Sequence, residues 1–227
     1  QGSLNAHGAQ LEAVTTNGNL LLDQGTAVTG KLAADGGKFT IGDGGASVGT
    51  LSGTSNNTGI LNGTLTLTKA KNGYDGTLNG KGGLTIAGGV ETLNGQNKYT
   101  GDTHITNAEG AGLDLTGSIA GKLINDQYAQ VEGPNAQVNG TTTNNKTLVV
   151  SNGATLANLS NNGTATFTDS RAGDVTNTKE ATFKATGGSQ ASVTNNSGDL
   201  TLAGGNKTDG DVTNKDNGTL KLDGNTI

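Results

Sequence analysis

Few residues in this chain could do chemistry. His7 and His104 are its only histidines, and it has no cysteine. A zinc site asks for several nitrogen, sulfur or carboxylate ligands at short spacings, and neither histidine has a second His or Cys near it. Both read as surface residues, with His104 outward if Thr103 and Ile105 face in. No metal and no cofactor is expected. Gly42-Asp43-Gly44-Gly45 approaches a Gly-Asp-Ser-Gly signature but puts glycine where the nucleophile must stand, with no His–Asp partners. It reads as a turn. Asp209/Asp211 and Asp169/Asp174, the latter beside the sole arginine, Arg171, are the acid pairs a polysaccharide hydrolase or lyase would need. Aspartate is also the ordinary turn residue, so no enzyme is expected.

Two polar series are more regular. Asn161, Asn177, Asn195 and Asn214 follow an apolar series Leu159, Val175, Val193 and Val212, and the last three asparagines sit in an identical Val-Thr-Asn. Asparagines stacked in a turn bond one another's side chains and accept tight backbone, so they read as a structural turn ladder rather than a ligand row. The triplets Thr64/Thr66/Thr68 and Thr164/Thr166/Thr168 invite comparison with ice-binding solenoids, but irregular spacing argues against rows repeated on every coil. Tyr74, Tyr99 and Tyr128 could be exposed contacts, though Tyr99 sits in a repeat motif and reads as structural.

The elements that must carry these residues follow from composition. Of 227 residues, 40 are glycine, 36 threonine and 27 asparagine, with one proline and only 30% apolar residues. A disordered chain would stay soluble through proline and charge, and this one has little of either. Its apolar residues also alternate in short triplets, Phe39-Thr40-Ile41, Leu65-Thr66-Leu67 and Leu200-Thr201-Leu202, the mark of strands with one buried face. The lack of cysteine excludes a disulfide scaffold and suits export in an unfolded state. No apolar run is long enough for a membrane helix. A net charge of −5 with 14 Lys plus Arg leaves no basic patch, so nucleic acid is excluded as a partner.

A repeat sets the architecture. Apolar pairs recur at Leu148/Val150, Ala165/Phe167, Ala181/Phe183, Leu200/Leu202 and Leu220/Leu222, their first members 17, 16, 19 and 20 residues apart. Looser pairs continue toward the start: Leu20/Leu22, Phe39/Ile41, Leu84/Ile86 and Leu113/Leu115. A unit of this length cannot bury its own core and must stack on its neighbours at about 4.8 Å. The expectation is an all-β, single-stranded parallel β-helix, a solenoid of roughly twelve coils about 55 to 60 Å long, spanning 1–227 as one domain. The stretch 107–139 is the least regular and holds Pro134, so an irregular coil or protruding loop is expected there.

One stretch carries a family resemblance. Gly82-Gly83-Leu84-Thr85-Ile86-Ala87-Gly88-Gly89, then Thr92 to Ala108 with the core Asn97-Lys98-Tyr99-Thr100-Gly101-Asp102-Thr103, resembles the passenger-associated repeat of bacterial autotransporters, the type V secretion family. That repeat reads Gly-x-Leu-x-Leu, then Leu-x-Gly-x-Asn-x-Tyr-Thr-Gly-x-Thr, then an Ile- or Val-containing strand. The match covers about 27 of 227 residues, with departures at Asn94 and at the inserted Val90-Glu91. The other coils are similar to AIDA-type and antigen 43-like adhesins.

The resemblance implies a right-handed β-helix, exported through the outer membrane by its own C-terminal barrel and displayed on or released from the cell. No signal peptide or barrel is read in these residues, and Leu220, Leu222 and Ile227 leave the last coil patterned for burial, so the sequence reads as a segment of a passenger. The expected function is adhesion by self-association with identical passengers on neighbouring cells, giving autoaggregation and biofilm. The alternatives are a module binding a host-cell protein, glycan or matrix, and a stalk presenting a tip elsewhere. The sequence names no contact residues.

Overall fold

The structure is a computed structural model. It describes residues 2–71 and 73–224, leaving aside the side chains at 191, 194 and 195. Among the described residues there is no helix: 61% of the chain is strand, stacked as a parallel β-solenoid of about 11 turns, close to the roughly twelve expected from the spacing. Each coil exposes one row of backbone N–H and C=O groups on either edge. Parallel pairing with the coils above and below satisfies both rows, which is why strands of two to nine residues persist here.

Three faces run along the stack. On the first, the strands Ser3–His7, Asn19–Asp23, Lys38–Ile41, Thr58–Leu61 and Thr77–Gly80 pair in order, aligning Leu4, Leu20, Phe39, Gly59 and Leu78. The second face has an inward column of Leu11, Val28, Val48, Leu67, Ile86 and Ile105. That column then changes chemistry. Above Ile105 the same register holds Asn125, Asn144, Asn161 and Asn177. The third face aligns Tyr74, Leu93, Leu115, Val131, Val150, Phe167, Ala185, Leu202 and Leu222.

The core is the narrow column between the faces, with nearly all inward aliphatic and aromatic side chains buried. Large and small residues alternate along it. Phe183 aligns with Ala165 and Ala185 with Phe167, and the two phenyl rings meet edge to face at 5.1 Å. This corrects the apolar series read from sequence: Ala181 lies in the turn before the strand Thr182–Thr186, and Phe183/Ala185 is the inward pair of that coil. The other series, Leu159, Val175, Val193 and Val212, is in register throughout.

The stretch 107–139 is threaded into the ladder. Its strands Gly112–Leu115, Ser118–Ile119, Leu123–Asn125 and Tyr128–Glu132 all pair with neighbouring coils. Its irregularity lies in turn length: residues 106–111 separate Ile105 from Gly112, whereas only 126–127 separate Asn125 from Tyr128. Glycine is required at one corner, where Gly63, Gly82, Gly101, Gly121 and Gly140 stack. A Cβ on Gly82 would lie 2.0 Å from the Gly63 carbonyl, and one on Gly101 2.4 Å from that of Gly82. Successive backbones touch there, leaving no room for a side chain. At the last described coil Leu222 is 40% exposed, while Ile227 lies outside the described residues.

Candidate interaction surfaces

The asparagine series lies inside the molecule. Asn125 Nδ2 donates to Asn144 Oδ1 (2.7 Å), Asn144 to Asn161 (2.8 Å), Asn161 to Asn177 (2.8 Å), Asn177 to Asn196 (2.9 Å) and Asn196 to Asn214 (2.6 Å). The second amide hydrogen goes to a carbonyl past the corner on the next coil: Thr147 O, Thr164 O, Thr182 O, Asp199 O and Thr219 O in succession. Each amide thus closes a corner and ties it to the next coil, and Asn125, Asn144, Asn161, Asn177 and Asn196 are fully buried. The rung in the fifth coil is Asn196; the side chain of Asn195, expected there from sequence, lies outside the described residues. A register irregularity between Val193 and Asn196 moves the rung by one residue. Asn125 and Asn144 carry no Val-Thr-Asn tag, and their 19-residue separation was the only signal for them.

One residue after Asn125, Asn144, Asn161 and Asn177 a similar chain of bonds runs outside, ending on His104, one residue before Ile105. His104 Nε2 and Asp126 Oδ2 are 2.8 Å apart, Asn145 donates to Asp126 (2.6 Å), Asn162 to Asn145 (2.8 Å) and Thr178 to Asn162 (3.1 Å). The Asn145 amide first, and His104 second, hold the Asp126 carboxyl below its ordinary range. His104 thus faces outward as the end of a polar stripe.

The stretch Asn97 to Thr103, whose sequence resembles a passenger repeat, builds a corner. Asn97 is buried, its Oδ1 accepting from Leu78 N (2.9 Å) and its Nδ2 donating to Gly95 O (3.0 Å). Tyr99 is also buried, sharing a hydrogen bond with the buried Thr103 hydroxyl, and burial pushes its phenol upward. Gly101 supplies the close approach to Gly82, and Thr100 is exposed, with its N–H donating to Gly80 O. Tyr74 is buried too, donating to Asn57 Oδ1 (2.6 Å). Of the three tyrosines only Tyr128 reaches the surface, donating to Gln130 (2.7 Å).

The third face presents three outward rows. They are Thr147/Thr164/Thr182/Asp199/Thr219, Val149/Thr166/Lys184/Thr201/Lys221 and Ser151/Thr168/Thr186/Ala203/Asp223. Threonine rows therefore do align here, although Lys184, Lys221 and Asp199 interrupt the grid. Thr64/Thr66/Thr68 sit on the second face, where the next coil aligns only Thr85 with Thr66. Toward the other end of the third face, Gln130 donates to Glu132 (2.5 Å) and Asn152 to the same carboxylate (2.6 Å). Burial, then the Glu132 charge, push the Asp114 carboxyl upward.

The acid candidates are not brought together as catalytic pairs. Asp43 meets Lys81 at 3.7 Å with both side chains largely exposed, a contact worth little. Asp174 accepts from Ser192 (2.7 Å), and Asp169 occupies a positive-φ turn. Asp209 and Asp211 lie exposed between the strands Lys207–Thr208 and Val212–Asn214, and His7 lies exposed in the first coil. A shallow groove of about 450 Å³ beside the glycine corner is lined by Asp43, Lys81, Asp102 and His104 among others. Among the described residues no group of three or more His, Cys, Asp and Glu could hold a metal ion, and no helix is long and apolar enough to cross a membrane.

Sequence reading missed Glu91. It points into the core, is fully buried, and neither carboxyl oxygen has a hydrogen-bond partner. Burial raises its pKa to about 9, so it is a neutral acid at pH 7. Counting back by two from the inward Leu93 would have found it.

The fold defines the chain as a parallel β-solenoid with outward polar rows. Comparison with protein-family models, with curated proteins and with solved structures returned no match.

Proposed function

We propose that this chain is part of the passenger of a bacterial autotransporter of AIDA or antigen 43 type, exposed at the cell surface and adhering through self-association. The observation that carries this reading is the alignment of outward polar residues into continuous rows, above all the Thr, Lys and Asp rows of the third face. A rod with such faces makes many weak hydrogen bonds at one repeat distance. Each contributes about 1 kcal/mol or less, so strength comes from number and length, and binding stays reversible. The passenger-like motif from Asn97 to Thr103 supports the family assignment, as does a buried chemistry made of amides and aliphatic groups without cysteine. No reaction is assigned to it. The partners are identical passengers on neighbouring cells, the outer-membrane anchor being a barrel elsewhere in the protein.

The test is display of the solenoid on cells that do not otherwise clump, followed by settling and sedimentation measurements. Clumping that disappears when Thr164, Thr166 and Thr182 are replaced by aspartate supports the reading. Cells that stay dispersed, together with a purified chain that stays monomeric at high concentration, refute it and favour a stalk.

A further inference from the structure

An asparagine followed by glycine can react with itself. The glycine amide nitrogen, with no side chain beside it, reaches the asparagine Cγ and closes a five-membered ring. Nine Asn-Gly pairs lie along this chain, and all but the one at residues 72–73 are fully described. Sequence makes them equivalent; the fold does not. Three glycine nitrogens are held: the N–H groups of Gly140, Gly153 and Gly218 donate to Gly121 O (3.2 Å), Asp169 O (2.8 Å) and Lys215 O (2.8 Å). Asn79 lies within the paired strand Thr77–Gly80. Two side chains are held instead. Asn94 donates to Asp75 (2.6 Å) and accepts from Thr116 (2.6 Å), and Asn162 joins Asn145 to Thr178. Asn17-Gly18 and Asn62-Gly63 are left. Both asparagines are exposed, and among the described residues neither their side chains nor the following glycine N–H groups make a hydrogen bond.

We propose that Asn62-Gly63 is a self-modifying site, where the Asn62 amide is converted to a carboxylate while the solenoid stands folded. The Gly63 nitrogen gives its proton to solvent base and attacks Asn62 Cγ. A new C–N bond forms, the bond from Cγ to the side-chain nitrogen breaks, and ammonia leaves. Water then opens the cyclic imide. Cleavage at Cγ gives aspartate, and cleavage at the main-chain carbonyl gives isoaspartate, with the backbone routed through Cβ and Cγ. One water is consumed and one ammonia released, with no oxidant or cofactor. Asn17-Gly18 follows the same course.

The corner leaves room for this reaction and makes its two products unequal. Residues 62–64 lie between the strands Thr58–Leu61 and Leu65–Leu67, so only the Asn62 N–H, donating to Ile41 O (2.9 Å), ties the asparagine backbone to a ladder. Gly63 itself is tightly seated: a Cβ on it would lie 2.4 Å from Gly42 O, and one on Gly82 2.0 Å from Gly63 O. Aspartate keeps that seat. Isoaspartate lengthens the backbone by one atom where successive coils touch, and so forces them apart. Asn62 also stands in the coil between Asp43 and Lys81, which meet at 3.7 Å, and all three line the groove beside the glycine corner. Either product therefore puts a second carboxylate within that ion pair and makes the chain more acidic.

Peptide mapping of the intact chain, incubated in mildly alkaline buffer and sampled over time, tests the proposal. Asn62 and Asn17 should convert first. Asn94 and Asn162, which must break side-chain hydrogen bonds before reacting, should lag by about threefold to tenfold. In concentrated urea the spread should vanish, because all nine pairs then share one unfolded environment. Amide exchange on the aged chain should show protection falling by about tenfold or more in the strands Thr58–Leu61 and Leu65–Leu67 of the isoaspartate fraction. Asn62→Asp should keep that protection, and Asn62→Gln should keep it while yielding no product at 62. Asn162 converting as fast as Asn62 in the folded chain, the same ranking in urea, or an Asn62 that stays unreacted while the unfolded chain converts would overturn the proposal.

Discussion

Replacing Asn161 by alanine should destabilise the solenoid by about 3 to 5 kcal/mol, an effect out of proportion to one polar residue. Asn161 accepts from Asn144 (2.8 Å), donates to Asn177 (2.8 Å) and donates to Thr182 O (2.9 Å), all with no exposed surface. Three net hydrogen bonds are worth about 3 kcal/mol, and the stranded Asn177 oxygen and Thr182 carbonyl add up to about 1 to 3 kcal/mol of uncompensated desolvation, reduced where neighbours relax. Asn162→Ala provides the control. Asn162 is exposed and holds comparable bonds to Asn145 and Thr178, yet its loss should cost about 0.5 kcal/mol or less because water replaces them. Urea unfolding followed by far-ultraviolet circular dichroism measures both. Amide exchange in the strands Thr155–Asn161 and Arg171–Asn177 shows whether the loss is local, as expected of a stack stabilised through neighbouring coils. Because Asn161 and Asn177 share a bond, the double alanine variant should cost about 1 kcal/mol less than the sum of the singles. Equal costs for Asn161→Ala and Asn162→Ala would refute the view that the buried ladder, rather than hydrogen bonding in general, holds these corners.

Three further outcomes follow from the same column and core. Ile105→Asn places an amide directly below Asn125, whereas Ile86→Asn buries one between Leu67 and Ile105; urea unfolding should find the latter about 2 kcal/mol more damaging. Glu91 binds its proton more tightly in the folded chain than in the unfolded one, so its contribution to stability is full below about pH 4.5 and declines as pH rises toward about 9. The decline should approach about 1.4 kcal/mol per pH unit, and pH-dependent unfolding of Glu91→Gln should lack it. Tyr99→Phe removes the bond to the buried Thr103 hydroxyl and should lower stability by about 1 to 2 kcal/mol, with Tyr99→Phe/Thr103→Val recovering part of it in thermal unfolding.

Period-two alternation and the recurring turn residues were enough to read the solenoid, because inward position and turn chemistry are both local. Register was harder. Ala181 and Phe183 are both apolar and two residues apart, so they satisfy the same alternation; what selects Phe183 is its fit over Ala165 and beneath Leu200, a contact with other coils. Asn195 and Asn196 are the same residue type, and only the irregularity after Val193 decides which one joins the ladder. The outward polar rows were illegible for a related reason. Turns of unequal length blur their spacing in sequence while the parallel pairing restores it in space, as in Thr182, Asp199 and Thr219, 17 and 20 residues apart yet aligned. Glu91 was passed over because an acid next to valine suggests the opposite burial.

The change in the second face's inward column, from Ile105 to Asn125, links these features. An aliphatic residue fills volume but leaves the corner carbonyls to other donors, and corners after the aliphatic rungs vary in length, reaching six residues at 106–111. An asparagine supplies the donor itself, and several corners after it shrink to two residues, at 126–127, 145–146 and 162–163. Shorter corners keep successive coils of similar length, and coils of similar length carry their outward residues in straight rows. The hydrogen-bonded stripe from Asp126 to Thr178 and the threonine rows from Thr147 to Thr186 both lie along the asparagine-bearing coils. In the proposed adhesin, then, the buried ladder sets the regularity of the surface that would meet a second copy. Breaking a rung should weaken self-association through loss of alignment even where the exposed residues are untouched.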